Sequence, residues 1–276
     1  MIKQFRYTDK HPLYLRQVDP EDTAGLGGKE EIASEMDRLK EQLQELQEKL
    51  YASKSHSVLI IFQGMDCSGK DGVIKKVLAG LNPQGFRAES FKKPTAEEAS
   101  HDFLWRTHRL TPAKGFITAF NRSYYEEVLI TRVHGQIDKD EAEQRLKAIR
   151  SFEKHLTDSG TLIIKIFLHI SEEFQLSKIQ ERMQNPEKLW KFDPSDLEER
   201  RYWDEYRKAY EAAFEATASK RSPWYIVPAN NRWFRDYLVL RILVAEFKDL
   251  NLSYPQVDIN PALHVPVKAV ETVETE

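Results

Sequence analysis

Gly64-Met65-Asp66-Cys67-Ser68-Gly69-Lys70-Asp71-Gly72 follows the apolar, β-branched run Val58-Leu59-Ile60-Ile61-Phe62 and precedes the amphipathic stretch Val73-Ile74-Lys75-Lys76-Val77-Leu78. Strand, glycine-rich turn and helix in that order read as a phosphate-binding loop. Gly64 and Gly69 stand at the spacing that turns backbone N–H groups toward an anion at a helix N-terminus; Ser68 and Gly72 belong to the same cradle, and Lys70 adds a point charge for the β and γ oxygens. Two departures carry information. Asp71 occupies the position where the common pattern has a Ser or Thr hydroxyl for Mg²⁺, and Asp66 places a carboxylate inside the loop. The metal is therefore expected to be held differently from that of an ordinary ATPase.

Outward from the loop, apolar runs at 57–62, 86–91, 115–120, 161–169 and 224–227 alternate with amphipathic stretches. Such alternation predicts an α/β fold, a parallel sheet covered on both faces, with ligands at the C-terminal ends of the strands. Between the last two runs lies a charged insert, 171–218, with Arg182, Lys188, Lys191, Arg200, Arg201, Arg207 and Lys208. An insert so placed reads as a lid that closes cations over phosphates, or more plainly as a solvated helical hairpin. Upstream, residues 1–28 lack a period and read as an extended arm. Ile32, Met36, Leu39, Leu43, Leu46 and Leu50 then form a narrow apolar seam on one long helix, which packs either on its own domain or on another subunit. The expected units are an arm and long helix at 1–55, a core at 56–250, and an extended tail at 251–276 containing Pro255, Pro261 and Pro266.

With 276 residues, 41% of them hydrophobic, the chain can fill one sizeable α/β domain with elaborations, and two full domains would be a squeeze. A net charge of -3 gives no global basic field for nucleic acid, while 31% charged residues leave room for a local cationic groove. Cys67 is the single cysteine, which excludes an intrachain disulfide framework and a cysteine-rich zinc site; it reads as a small packing residue of the loop. No apolar run approaches the ~18 residues of a membrane span, and the N-terminus lacks an apolar signal region. The expectation is a cytoplasmic protein with neither nucleic-acid nor membrane partners.

The run at 115–120 leads into Asn121-Arg122-Ser123-Tyr124-Tyr125-Glu126-Glu127. A strand end of this kind commonly supplies an acidic metal partner, yet here the first position is the neutral Asn121 and the carboxylate Glu126 comes about one helical turn later. Arg122 is placed to bridge two phosphate oxygens with its planar fork. Asn121 also suits a helix cap. Lys92-Lys93-Pro94-Thr95 follows another strand, where its ammonium groups project from the functional edge or sit in a solvated turn. His101, Asp102, Phe103 and Arg106 follow on a predicted helix, where Phe103 suits base stacking and Arg106 a phosphate; helical core and surface ion pairs account for the same residues.

The loop 64–72, Lys93-Pro94-Thr95, Asn121-Arg122-Ser123-Tyr124-Tyr125, Arg132-Val133, Pro186-Glu187-Lys188-Leu189-Trp190-Lys191-Phe192 and Trp224-Tyr225-Ile226-Val227-Pro228-Ala229 resemble, in order, the polyphosphate kinase 2 family, over about 5–247. The resemblance implies a P-loop kinase-like, three-layer α/β/α parallel sheet with a helical lid, similar to thymidylate kinase. It also implies a phosphotransferase acting on inorganic polyphosphate with AMP, ADP and ATP, and a homo-oligomer, a dimer or tetramer. Members that use nucleoside diphosphates usually carry aspartate at position 121 and asparagine at 126; Asn121 with Glu126 is similar to the subgroup that phosphorylates AMP as well as ADP. The implied roles are Mg²⁺, or Mn²⁺, on Asp66 and Asp193, stabilisation of the transferring group by Lys70 and Arg122, polyphosphate on Arg182, Lys188 and Lys75, and nucleotide on Lys93, Arg106, Arg132 and Glu126. An ATP-dependent nucleoside monophosphate kinase would share the loop, lid and acceptor pocket. A non-catalytic nucleotide-binding assembly module is a further alternative, against which the joint presence of Asp66, Lys70 and Arg122 argues.

Overall fold

The computed structural model describes residues 1–8 and 11–256. Its centre is a six-stranded sheet of β1 (Arg6–Tyr7), β2 (Ser57–Gln63), β3 (Phe86–Ser90), β4 (Ile117–Asn121), β5 (Thr161–His169) and β6 (Trp224–Pro228), in the spatial order β1-β6-β5-β2-β4-β3. The five expected strands are parallel to one another, while β1 adds antiparallel to β6. Every residue of β2 is buried, as a continuous apolar run in a doubly covered sheet should be.

Ten helices complete the described chain: α1 (Ala33–Ser53), α2 (Lys70–Val77), α3 (Ala96–Ala99), α4 (Trp105–His108), α5 (Glu126–Val133), α6 (Lys139–Asp158), α7 (Glu172–Gln184), α8 (Ser195–Glu199), α9 (Trp203–Thr217) and α10 (Arg232–Lys248). Helices α1, α2 and α10 cover one face of the sheet; α5, α6 and α9 cover the other. The expected three layers are present.

The seam on α1 finds its partner within the chain. Leu39, Leu43, Leu46 and Leu50 are buried in one cluster with Leu240, Leu243 and Val244 of α10, each fully buried leucine contributing about 1.5–3 kcal/mol. Tyr237 of α10 donates to Glu35 at 2.7 Å. The arm differs from expectation as well: short 3₁₀ turns and β1 tie it to the sheet edge. The insert is likewise divided, because Ala209, Tyr210, Ala213, Phe214 and Thr217 of α9 are buried in the layer shared with α5 and α6. Its outer portion is thus α7, α8 and their connections. Most of the expected tail, 257–276, lies outside the described residues.

Beneath the α5 layer lies a buried charged node. Glu153 of α6 and Lys165 of β5 pair at 2.6 Å with side chains 2% and 0% exposed. Glu153 also accepts from Tyr124 (2.9 Å), Tyr125 (2.6 Å) and Ser222 (2.9 Å), while Lys165 donates to the Thr217 carbonyl at 2.9 Å. Burial lowers the Lys165 pKa against the pull of Glu153. The node joins the segment after β4, the end of α9 and the central sheet.

Strand register sets the functional edge. Phe62 lies opposite Asn121, Asn121 opposite Ser90, and Gln63 opposite Phe167, so the chain leaves β2, β3, β4 and β5 at a common level. There the phosphate loop, Lys92-Lys93, Arg122 and the insert meet.

Candidate active site

The loop between β2 and α2 is shaped by backbone conformation. Gly64 (φ 150) and Gly69 (φ 92) occupy the left-handed side of conformational space, and Cys67 (φ 66) does so despite its side chain. Burial pushes the Cys67 thiol up to about 11, consistent with the packing role read from the sequence. A Cβ on Gly69 would lie 2.1 Å from Nη1 of Arg235, and one on Gly64 would lie 2.7 Å from the Leu168 carbonyl oxygen. Gly69→Ala is therefore expected to displace Arg235 and distort the loop, lowering turnover at least tenfold while leaving the fold intact; steady-state kinetics with a melting curve check it.

Lys70 begins α2, is 8% exposed, and donates to the carbonyls of Gly64 (2.8 Å) and Met65 (3.1 Å). Its pKa is lowered first by burial and then by Arg122, with Asp66 and Glu126 pulling the other way. Arg122 leaves β4 in a left-handed turn (φ 61), its N–H donating to the Phe62 carbonyl at 3.0 Å. Its Nη2 reaches Asp66 Oδ1 at 2.6 Å. Burial works against the Arg122 charge, yet Asp66 and Glu126 outweigh it and raise the pKa. Lys70, Arg122 and Asp66 thus form one compact charged group at the loop.

The exchanged residues rearrange the strand end beside the loop. Asn121 donates to Asp71, so the pair that in the common pattern is hydroxyl and carboxylate is here carboxylate and amide. Glu126 opens α5, accepts from Gln63 at 3.2 Å, and has its pKa raised by desolvation against Arg122 and Lys70.

Three adjoining cavities share the loop. A cavity of about 220 Å³ is lined by Asp66, Arg122, Glu126, Asp193, Asp196 and Tyr206, among others. A cleft of about 710 Å³ opens toward β3, between Lys70, Asn121 and Arg122 on the sheet side, Lys92 and Lys93 beyond β3, and Arg182, Trp190 and Asp193 from the insert. A groove of about 240 Å³ runs the other way past Gly69 and Gly72, lined by Lys76, Lys178, Arg182, Lys188, Arg232 and Arg235 with Asp71 and Glu181. Cations outnumber acids there, as a polyanion requires.

Five expected residues fall outside these walls, Ser68 among them because it is fully buried beneath the loop. Phe103 lies in the turn before α4 rather than on a helix, and the Arg145 guanidinium covers its ring at 5.4 Å. Arg106 is 8% exposed and held by Glu127 at 3.0 Å and Glu98 at 3.5 Å; two carboxylates already neutralise the charge expected to meet a phosphate. Lys75 is exposed on α2, where Lys76 takes the place beside the groove. Arg132 is half-buried on α5.

Sequence reading missed Arg235, Arg232, Lys76 and Lys178. Arg235 pairs with Asp236 at 2.6 Å, both side chains 3% exposed, and donates to the Ser68 carbonyl at 3.3 Å. A positional signal existed: Arg232-Trp233-Phe234-Arg235 opens the helix after the last strand, whose C-terminal end lies at the ligand edge of a parallel sheet. Gln175, which donates to the Asp66 carbonyl at 3.1 Å, and Asp196 carried no comparable signal. Asp196 pairs with Arg182 at 3.0 Å; burial and Asp66 push its carboxyl up to about 6 against the pull of Arg182.

Among the described residues no three His, Cys, Asp or Glu side chains converge as a preformed metal cage. Asp66 and Asp193 instead offer oxygen donors at the junction of cavity and cleft, although Asp193 Oδ1 already accepts from Ser195. Sparse carboxylates of this kind suit a hard divalent cation whose remaining ligands are water and substrate phosphates.

The family model for Polyphosphate kinase 2 (PPK2) matches residues 27–254. This chain belongs to the polyphosphate kinase 2 family. It is 45% identical over 256 residues to the AMP/ADP-polyphosphate phosphotransferase of Meiothermus ruber, covering 92% of this chain and 96% of that one. It is 49% identical over 228 residues to the ADP-polyphosphate phosphotransferase of Rhodopseudomonas palustris, covering 78% and 79%. The crystal structure of polyphosphate kinase 2 from Arthrobacter aurescens TC1 superposes with a TM-score of 0.90 at 41% identity, covering 94% of this chain and 93% of that one. The expected fold and family are thereby established, and the chain is a polyphosphate kinase. No described helix is long and apolar enough to cross a membrane.

Proposed function

We propose that this polyphosphate kinase moves the terminal phosphoryl group of inorganic polyphosphate to AMP and to ADP, giving ADP and ATP, reversibly and with Mg²⁺, or Mn²⁺ in its place. The observation that carries the reading is the pair of openings that meet at Cys67, Gly69, Asp71 and Arg182, with Asp66, Lys70 and Arg122 on the cleft side of the junction. The groove toward Lys188 and Arg235 suits a linear polyanion, while the cleft toward Lys92 and Lys93 suits a phosphorylated acceptor.

The attacking atom is a phosphate oxygen already ionised at neutral pH, so no side chain has to remove a proton. What remains is to bring two polyanions together and neutralise the charge that builds on the transferring group. Lys70 and Arg122 face that group from below and from the β4 side. Arg182, Lys188, Lys178 and Arg232 hold the donor chain, and the outer insert acts as the lid that limits water. Arg235, pinned to Asp236 and the Ser68 carbonyl, supports the loop from beneath. Asp66 and Asp193 would hold a divalent cation, which would supply further neutralisation of phosphate charge.

The relatives named above differ in the acceptor their names give at similar identity, so the AMP reading rests on Glu126. A carboxylate beside Arg122 can hold that arginine at the position a shorter acceptor leaves open. Glu126→Asn is expected to reduce AMP use about tenfold more than ADP use, by the scale of one charge-assisted contact; equal loss with both acceptors would sink the assignment.

The decisive experiment separates the nucleotides formed from Mg²⁺, long-chain polyphosphate and either AMP or ADP. ADP and then ATP from AMP support the proposal. Product from ADP alone removes AMP from it, and product only with ATP as donor favours a nucleoside monophosphate kinase. Oligomeric state, a dimer or tetramer by family resemblance, is read from light scattering, and a cytoplasmic location from fractionation.

A further inference from the structure

Gln63 ends β2 immediately before the phosphate loop and is 0% exposed. Its Nε2 donates to Oε1 of Glu126 at 3.2 Å, while its own Oε1 is buried with no hydrogen-bond partner among the described residues. A buried amide oxygen left without a partner destabilises a fold. The five residues before it, Val58 to Phe62, are all apolar, and an apolar side chain of the same length would fill the position without stranding an acceptor. What the amide adds is the bond to Glu126.

The Glu126 carboxylate rides on a flexible stem in the first turn of α5 and forms part of the wall of the 220 Å³ cavity. Desolvation raises its pKa, while Arg122, Lys70 and the Gln63 amide favour its charged form. Two cations thus draw it toward the reacting group, where Arg122 is already paired with Asp66 at 2.6 Å. A carboxylate drawn fully onto Lys70 or Arg122 would neutralise that charge, as Glu98 and Glu127 neutralise Arg106. The bond from Gln63 pulls instead toward β2, the strand that leads into the loop.

We propose that Gln63 is the positioning residue for Glu126: its amide fixes the carboxylate at the edge of the cavity, so that acceptor choice is set jointly by the strand before the loop and the helix after Arg122. The inference rests on the acceptor reading above and deepens it, placing the preference for a monophosphate in a pair of residues. Gln63 is enclosed by the sheet and acts through Glu126 alone. A functional side chain held from behind in this way keeps one geometry when the substrate arrives.

The test is a double-mutant cycle of Gln63→Met, Glu126→Asn and both together, with AMP and ADP as alternative acceptors. Methionine keeps the length and removes the donor. Gln63→Met should lower kcat/KM for AMP about 2- to 12-fold more than for ADP, the equivalent of one hydrogen bond, with the KM for polyphosphate unchanged and the melting temperature kept. In the Glu126→Asn background the same substitution should change the AMP-to-ADP ratio by less than about twofold, because the group it positions is gone. Equal loss with both acceptors in Gln63→Met overturns the inference, and so does a fully additive effect in the double variant. Where Gln63→Met fails to fold, Gln63→Leu decides by the same ratio. Calorimetric titration of AMP without polyphosphate reads the pair independently of turnover, with binding to Gln63→Met expected to weaken by the same factor; unchanged binding overturns the inference. If wild type binds AMP but forms no product, the proposed reaction fails while the titration still decides Gln63. Wild type that neither binds nor uses AMP overturns both.

Discussion

Lys70→Ala is expected to lower the turnover number for phosphoryl transfer by about a hundred- to a thousandfold, the scale on which removing one preorganised electrostatic stabiliser acts. The size follows from position. Lys70 is nearly enclosed by the loop, with its ammonium held by two backbone carbonyls, so water cannot take its place without rebuilding the loop. Its partner Arg122 is fixed from another strand, and the two cations approach the same point from different directions. Loss of Lys70 therefore removes charge at the reacting group while the groove keeps its cations, and the KM for polyphosphate should move much less than the turnover number. A single-turnover measurement with saturating donor checks this. A large rise in KM at unchanged turnover would place Lys70 on the polyphosphate path instead.

The largest effect on stability is expected at Glu153. Glu153→Ala leaves Lys165 buried without its carboxylate and strands the hydroxyls of Tyr124 and Ser222, while Tyr125 keeps its bond to Thr217. Breaking a buried pair in this way costs about 3–5 kcal/mol, which chemical denaturation would read directly. The double variant Glu153→Gln with Lys165→Met removes both charges and should recover a substantial part of the loss, because the penalty comes from the uncompensated charge. If the double variant is no better than Glu153→Ala, the node is held by shape rather than by charge. Activity at permissive temperature adds a second readout, since Tyr124 and Tyr125 continue directly from Arg122.

The sheet and loop were legible because their signals are local. The run 58–62, the loop glycines and Lys70 lie within a few residues of one another, and alternation of apolar runs carried the rest of the parallel sheet. The antiparallel edge strand was not legible, because Arg6 and Tyr7 become a strand only through pairing with Tyr225 and Trp224. The same distinction governs the site. Asp66, Lys70 and Arg122 follow motif positions, whereas the neutralisation of Arg106 depends on Glu98 and Glu127 from two other elements. The sequence suggested Phe103 for base stacking on a predicted helix; the cover supplied by Arg145, 42 positions later in the sequence, has no local trace. The seam on α1 was visible as apolar, but its partner was not, since a period describes one helix and says nothing of what meets it.

That partner has a consequence for synthesis. The first long helix of the chain closes on the last, and the first strand pairs with the last strand. A ribosome adding roughly 5–20 residues per second completes α1 roughly 10–40 s before α10 emerges. During that interval the leucine face of α1 stands as an unsatisfied, greasy stripe on a nascent chain. The N-terminal fifth of this protein thus waits for the C-terminal fifth, and the interval belongs to the chaperones.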